Sequence, residues 1–230
     1  MRADRFPSRP SRGFTLIEVL VVLAIVATLA AIVLPQLFKS GQTGEVASTR
    51  TRLSGLELAI KAYNNNWGEY PPTRLALLPF GKIESPNDKN EGVEALVLAL
   101  STEKKGGPYI SWQEDWLGNA DGDKLPSAPA KSALKTSELF EAVDFWGNPY
   151  VYIRSGDYGK KLRYVDNSGN AFFVQARKSK KLGSYHQADS YQLWSIGLNA
   201  KNENGGGDDI ANFALCSEDE EEGGGGEGPP

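Results

Sequence analysis

G-F-T-L-I-E-V-L-V-V-L-A-I-V-A-T-L-A-A-I-V-L, residues Gly13–Leu34, is an apolar segment with a single acid, Glu18, just inside its start. No further charge follows until Lys39, so the 20 residues from Val19 to Phe38 are uncharged. A helix rising about 1.5 Å per residue needs roughly 20 residues to cross the hydrocarbon of a bilayer. The stretch is therefore expected to be a membrane-spanning helix. A carboxylate at the lip of such a helix is costly, so Glu18 is expected to be functional.

The 13 residues before the apolar run form a short basic leader, with Arg2, Arg5, Arg9 and Arg12 against Asp4, a net charge of +3. Positive charge ahead of an apolar helix keeps that end in the cytoplasm and sends the rest of the chain outside. A cleaved secretory signal is the other reading, and Ala27, Ala30 and Ala31 would supply small residues for its cut site. Two features favour an anchor. The apolar run continues through Ile32, Val33 and Leu34, and Glu18 would have no purpose in a signal core.

Working outward, the helical pattern continues beyond the membrane. Val46, Leu53, Leu56, Ile60, Tyr63 and Trp67 recur at helical spacing and define one apolar face, with Arg50, Arg52, Glu57 and Lys61 off it. Pro35, Gly41 and Gly44 are expected to kink or weaken the helix. The helix is expected to run from about Phe14 to about Asn66 and to stop before Gly68 and Pro71-Pro72. A second helix is expected over 92–100, with Asn90 as its N-cap. Residues 111–136 read as a polar, irregular insertion. Strand patterns follow at 150–154, 162–165, 171–176 and 191–196, separated by glycine- and asparagine-containing turns. The expected fold class is α+β. A long N-terminal helix, membrane-spanning in its first half, packs its second half on a small antiparallel β-sheet, ahead of a loop-rich C-terminal region.

Gly13-Phe14-Thr15-Leu16-Ile17-Glu18, placed between a basic leader and an apolar helix, resembles the cleavage and methylation motif of type IV pilins and type II secretion pseudopilins. The resemblance implies that a prepilin peptidase cuts between Gly13 and Phe14 and N-methylates Phe14. It also implies that Glu18, the fifth residue of the mature chain, pairs with the N-terminal amine of a neighbouring subunit during assembly. Further segments are similar to the major pseudopilin of type II secretion. These are Leu58–Tyr63 with Gly68–Pro71, Glu91–Val97, Gly107–Ile110, and Asp144-Phe-Trp-Gly-Asn-Pro-Tyr150, where Phe145 stands in the place of the usual proline. Asp144–Tyr150 reads as architectural, with Gly147 suited to a positive φ and Trp146 and Tyr150 as packing anchors. Insertions around 74–90, 112–138 and 155–189 depart from the compact family pattern.

Ser195–Phe213 resembles the family's calcium loop. Carried across, the ligand positions are the Ile196 carbonyl, the Asn199 side chain, and Asp208 or Asp209. Calcium takes six to eight oxygens, and Asn202, Glu203 and Asn204 are further oxygen donors here. Asn199 stands where the family usually has aspartate and Ala200 where it has glycine, which removes one negative charge from the site. The loop lacks the spacing of an EF-hand.

The resemblance implies a pilin fold in four parts: a cleaved leader at 1–13, a transmembrane assembly helix at 14–37, a periplasmic domain at 38–216, and a disordered acidic, glycine-rich tail at 217–230. It implies a structural subunit of the type II secretion pseudopilus, helping folded proteins across the outer membrane. Its expected partners are further copies of itself in a helical polymer, the prepilin peptidase, minor pseudopilins, the inner-membrane secretion platform and the inner membrane. The expected location is the bacterial inner membrane, single-pass, with the domain in the periplasm. A type IV pilin for adhesion, motility or DNA uptake is the alternative.

Composition narrows the remaining classes. Taking the leader's +3 from the total of −4 leaves −7, and six acids lie in the last 13 residues, so the body is nearly neutral. That gives no electrostatic case for nucleic-acid binding. The one cysteine, Cys216, allows no internal disulfide, so packing or metal must hold the domain. The one histidine, His186, lies in a polar loop sequence. No nucleophile–base pair, H-E-x-x-H or phosphate-binding Gly-rich loop is present, and no enzyme activity is expected.

Overall fold

The computed structural model describes residues 15–79, 81 and 83–215, with the side chains of 32–40 left aside. Gly13, Phe14, Cys216 and the acidic tail, to which the sequence reading assigned roles, lie outside the described residues. The chain divides into two compact units, Met1–Gly44 and Glu45–Pro230. The sequence predicts a globular domain from Phe38, and the second compact unit begins at Glu45. Helix α1 spans Leu16–Trp67, close to the expected range, and its helical assignment includes Pro35, Gly41 and Gly44.

In the first unit, the described apolar side chains of α1 are exposed, except Ala30, which is half-buried. Leu16 is 82% exposed, and Ile17, Leu20, Leu23, Val26 and Leu29 are each more than half exposed. Among the described residues no helix is long and apolar enough to cross a membrane. The described side chains of the apolar run end at Ala31, whereas the uncharged sequence continues to Phe38.

The second unit is built on the outer part of α1. Leu53, Leu56, Ile60 and Tyr63 are buried, and Val46 and Trp67 pack against the same core, as the spacing predicts. Arg52 corrects the helical wheel. It is buried, donating from Nη1 to the carbonyls of Asp115 at 2.6 Å and Asp144 at 3.2 Å, and from Nη2 to the Asp115 carboxylate at 2.5 Å. Position 52 precedes Leu53 on the helix and borders the apolar face. A guanidinium with several fixed donors serves the carbonyls of a neighbouring turn there.

Helix α2, Glu91–Leu100, is buried from Gly92 to its end and contributes to the same core as α1. Asn90 precedes it as expected, but in a left-handed conformation with no side-chain cap bond. Its side chain serves a strand instead. Oδ1 accepts from Val165 N at 2.9 Å, and Nδ2 donates to Val165 O and to Glu141 Oε1, each at 3.0 Å.

Among the described residues, seven short strands form three antiparallel sheets where the sequence suggests one. The central sheet orders β3 (Val151–Arg154), β6 (Tyr191–Ser195) and β7 (Ile210–Ala211), with Tyr152 opposite Leu193 and Trp194 opposite Ala211. Strands β4 (Leu162–Val165) and β5 (Ala171–Val174) form a separate hairpin. Strand β1 (Leu117–Gly118), inside the expected irregular insertion, pairs with β2 (Glu141–Ala142) just beyond it. The core has two parts. One joins α1, α2 and the face of the central sheet bearing Tyr152 and Leu193. The other joins the opposite face, through Val151, Ile153 and Trp194, to Tyr164 and Val174 of the hairpin. Alternating side-chain direction lets a single sheet serve both.

Asp144–Tyr150 is the hub of this unit. Asp144 Oδ1 accepts from Trp146 N and Asn148 N, each at 2.9 Å, and Oδ2 accepts from the Ser195 hydroxyl at 2.5 Å. Gly147 has φ +84°, which a side chain would disfavour. Tyr150 donates its hydroxyl to Thr49 O at 2.9 Å, and Trp146 Nε1 donates to Glu45 at 3.0 Å. The segment thus ties α1 to the end of β6, in the architectural role its residues suggested.

Candidate functional site

Two places carry the residues singled out from the sequence. The first is the start of α1. The Thr15 backbone N and hydroxyl each donate to Glu18 Oε2 at 2.9 Å, and Glu18 N donates to Thr15 Oγ1 at 3.3 Å. This is a capping box, Thr-x-x-Glu, in which two side chains satisfy backbone donors left over at a helix start. Glu18 therefore has a partner within its own chain, a role the sequence reading did not assign. The Thr15–Glu18 spacing carried that signal. The carboxylate also sits at the positive end of the helix dipole, where negative charge is favoured.

The second is the loop between β6 and β7. Gly197, with φ +68°, turns the chain sharply after β6, and a Cβ there would lie 2.5 Å from Asp208 O. Only glycine allows the two limbs of the loop to approach so closely. Trp194 Nε1 donates to Asn202 Oδ1 at 3.1 Å and fixes the middle of the loop on the second core. Asp209 Oδ2 accepts from Glu203 N at 3.1 Å and Gly205 N at 2.8 Å, and Asp208 Oδ2 accepts from Asn199 N at 3.0 Å.

These bonds bring Glu203, Asp208 and Asp209 together, with one oxygen of each within 4.8 Å of the others. Glu203 Oε2 and Asp209 Oδ1 are buried and have no hydrogen-bond partner. Burial first, and then the charge of Glu203, pushes Asp209 above the usual carboxylate range. Glu203 is raised by burial and by Asp208.

Of the residues marked from sequence, Asp208 and Asp209 are both in the cluster. Ile196 is buried immediately after β6. Asn199 is placed differently. Its Oδ1 accepts from Lys201 N at 2.6 Å, and its Nδ2 donates to Glu203 Oε1 at 3.0 Å. The oxygen facing the aspartates comes from Glu203, which the sequence reading named only as a further donor. Its five-residue distance from Asp208 gave no regular spacing to recognise.

The profile for the prokaryotic N-terminal methylation motif matches residues 8–34, which include both the leader's end and Glu18. The type II secretion system core protein G of Pseudomonas aeruginosa is 30% identical over 153 residues, covering 66% of this chain and 79% of that protein. This chain belongs to the core protein G family. The core protein G of Escherichia coli K12 is 27% identical over 150 residues, covering 64% of this chain and 75% of that protein. The type IV major pilin PilA of Myxococcus xanthus is 39% identical over 70 residues, under a third of either chain. No solved structure matches significantly. Membership of the core protein G family accords with the observed α+β build, in which a long N-terminal helix is followed by small antiparallel sheets.

Proposed function

We propose that this chain is the main structural subunit of a type II secretion pseudopilus, a role without catalysis. The observation that carries the reading is the match to core protein G over four-fifths of that relative, joined to a methylation motif at the start of an apolar helix. The partial match to PilA favours only what pilins and pseudopilins share. In this reading the prepilin peptidase cuts after Gly13 and methylates Phe14. The helix from Phe14 anchors the subunit in the inner membrane, with the globular domain in the periplasm. Further copies of the chain, minor pseudopilins and the inner-membrane platform are its partners.

The exposed apolar surface of Leu16–Leu29 supports this, because such a surface needs lipid or neighbouring helices around it. Glu18 then has two tasks in sequence. In the single chain it caps its own helix through Thr15, and in the fibre it meets the Phe14 amine of the next subunit. Glu18→Ala should still insert in the membrane but should form no pseudopili when the subunit is overproduced. Normal fibres from that variant, seen by electron microscopy of sheared cells, would contradict the role of Glu18.

We further propose that the loop between β6 and β7 holds calcium through Glu203, Asp208 and Asp209. The donor set fits. All three ligands are hard oxygens, and the unpartnered buried oxygens of Glu203 and Asp209 need a counter-charge. The ion would supply that positive charge. The chain's own part is to bring residues 203 and 208–209 together through the bonds from Glu203 N and Gly205 N to Asp209. A ligand that binds only the folded state stabilises it by mass action. The full-length chain in detergent should melt several degrees higher in about 1 mM calcium than in chelator. Asp209→Ala should remove most of the shift that this loop contributes, and an unchanged shift in that variant would count against the loop.

A further inference from the structure

A second group of acids lies far from this loop in sequence, where α2 meets the turn after β1. Glu94 projects from α2, and Asp121 and Asp123 come from the connection between β1 and β2. One oxygen of each lies within 4.8 Å of the others. Two oxygens bound to one calcium, each about 2.4 Å from it, are separated by at most about 4.8 Å.

Proximity of acids alone would not point to an ion. The independent observation is Glu94. It is 0% exposed, yet neither of its carboxylate oxygens has a hydrogen-bond partner, and Asp123 Oδ1 is also buried without one. Buried carboxylates are otherwise paired or ligate metals. The neighbouring charges that act on Glu94 are those of Asp123, Asp121, Glu141 and Glu91, all of the same sign. The positive charge of Lys89 acts on Asp123 and not on Glu94, and the side-chain amide of Asn87 is engaged elsewhere in the group. Asn87 Nδ2 donates to Asp121 Oδ2 at 2.8 Å and Asp123 Oδ2 at 3.0 Å. Glu141, equally buried, is satisfied by Asn90 and by Ala120 N, and so is set apart from the orphaned oxygens.

The connection is also shaped before any ligand arrives. Asn119 Oδ1 accepts from Asp123 N at 3.1 Å, and Asn119 Nδ2 donates back to Asp123 O at 3.0 Å. This closes a tight loop that turns the Asp121 and Asp123 side chains toward α2. The loop lies within the insertion at 112–138, which departs from the compact family pattern, so the resemblance contributes nothing to its two aspartates.

We propose that Glu94, Asp121 and Asp123 bind a second divalent cation, of calcium's class, that pins the β1–β2 connection to α2. Hard carboxylate oxygens with no nitrogen or sulfur donor in the group select calcium or magnesium over transition metals. Several carboxylates converging directly on one point favour calcium, since magnesium retains most of its water.

The test is equilibrium dialysis of the detergent-solubilised full-length chain against about 1 mM calcium chloride, read as calcium bound per chain. Glu94→Gln and Asp123→Asn should each bind one calcium fewer than the unmodified chain and lose part of its calcium-dependent rise in melting temperature. Asp209→Ala should keep the calcium that those variants lose. The proposal is overturned if Asp123→Asn, with an unchanged circular dichroism spectrum in chelator, binds as much calcium as the unmodified chain. If Glu94→Gln does not fold, Asp123→Asn and Asp121→Asn, on the loop, decide. Failure of the β6–β7 loop alone would appear as full binding by Asp209→Ala, and so is distinguishable.

Discussion

Asp144 shows how one side chain organises a domain that lacks disulfides among its described residues. Its carboxylate accepts two backbone amides of its own turn and the hydroxyl of Ser195, so it closes the Asp144–Tyr150 turn and ties it to β6 at the same time. Removing it leaves buried donors unsatisfied, each costing about 1–3 kcal/mol, rather than only losing a contact. Asp144→Ala should therefore lower the unfolding free energy by about 3 kcal/mol, measured by urea denaturation. Asp144→Asn, which keeps one carbonyl oxygen for the two amides, should lose less. A loss under about 1 kcal/mol for the alanine variant would show that the hub carries little weight. Glu18 follows the same logic at the other end of the chain, where a capping-box carboxylate is held ready by Thr15.

At the scale of elements, Asn90 couples α2 to the β4–β5 hairpin through two bonds from its side-chain amide to Val165, and a third bond reaches Glu141 of β2. Asn90→Ala should destabilise the domain by about 2 kcal/mol, and hydrogen exchange at Val165 N–H should accelerate far more than in the central sheet. Equal acceleration everywhere would mean that the hairpin does not depend on this clamp. The elements legible in the sequence were those long enough to carry a period. α1, α2, β3, β4, β5 and β6 all lie within a few residues of their expected places. Strands β1, β2 and β7 are two residues each, and two residues have no alternation to read. Their pairing is decided by long-range contacts, as is the division into three sheets. The same limit hid the Glu94 cluster, whose acids come from separate parts of the chain. Asp208 and Asp209 are readable from a familiar loop, which also holds Glu203 as a further donor.

At the scale of the whole molecule, tyrosine is the main aromatic of the core. Tyr63, Tyr150, Tyr152, Tyr158, Tyr164 and Tyr191 all have their pKa values raised, in each case chiefly by burial. The native state therefore keeps protons that the unfolded chain loses above about pH 10. Their contribution is fully present below that pH, and stability falls as pH rises above it. Absorbance at 295 nm should report ionisation of these six only together with loss of the far-ultraviolet helix signal. Their titration in a still-folded protein would contradict the packing.

In the proposed role, the apolar helix of the other unit serves a fibre only once the leader is cut after Gly13 and Phe14 becomes the new end. Mass spectrometry of the mature N-terminus tests this most directly. The expected result is a chain beginning with N-methyl-Phe14. A chain beginning near Ala31 or Ile32, as from an ordinary signal peptide, would contradict it.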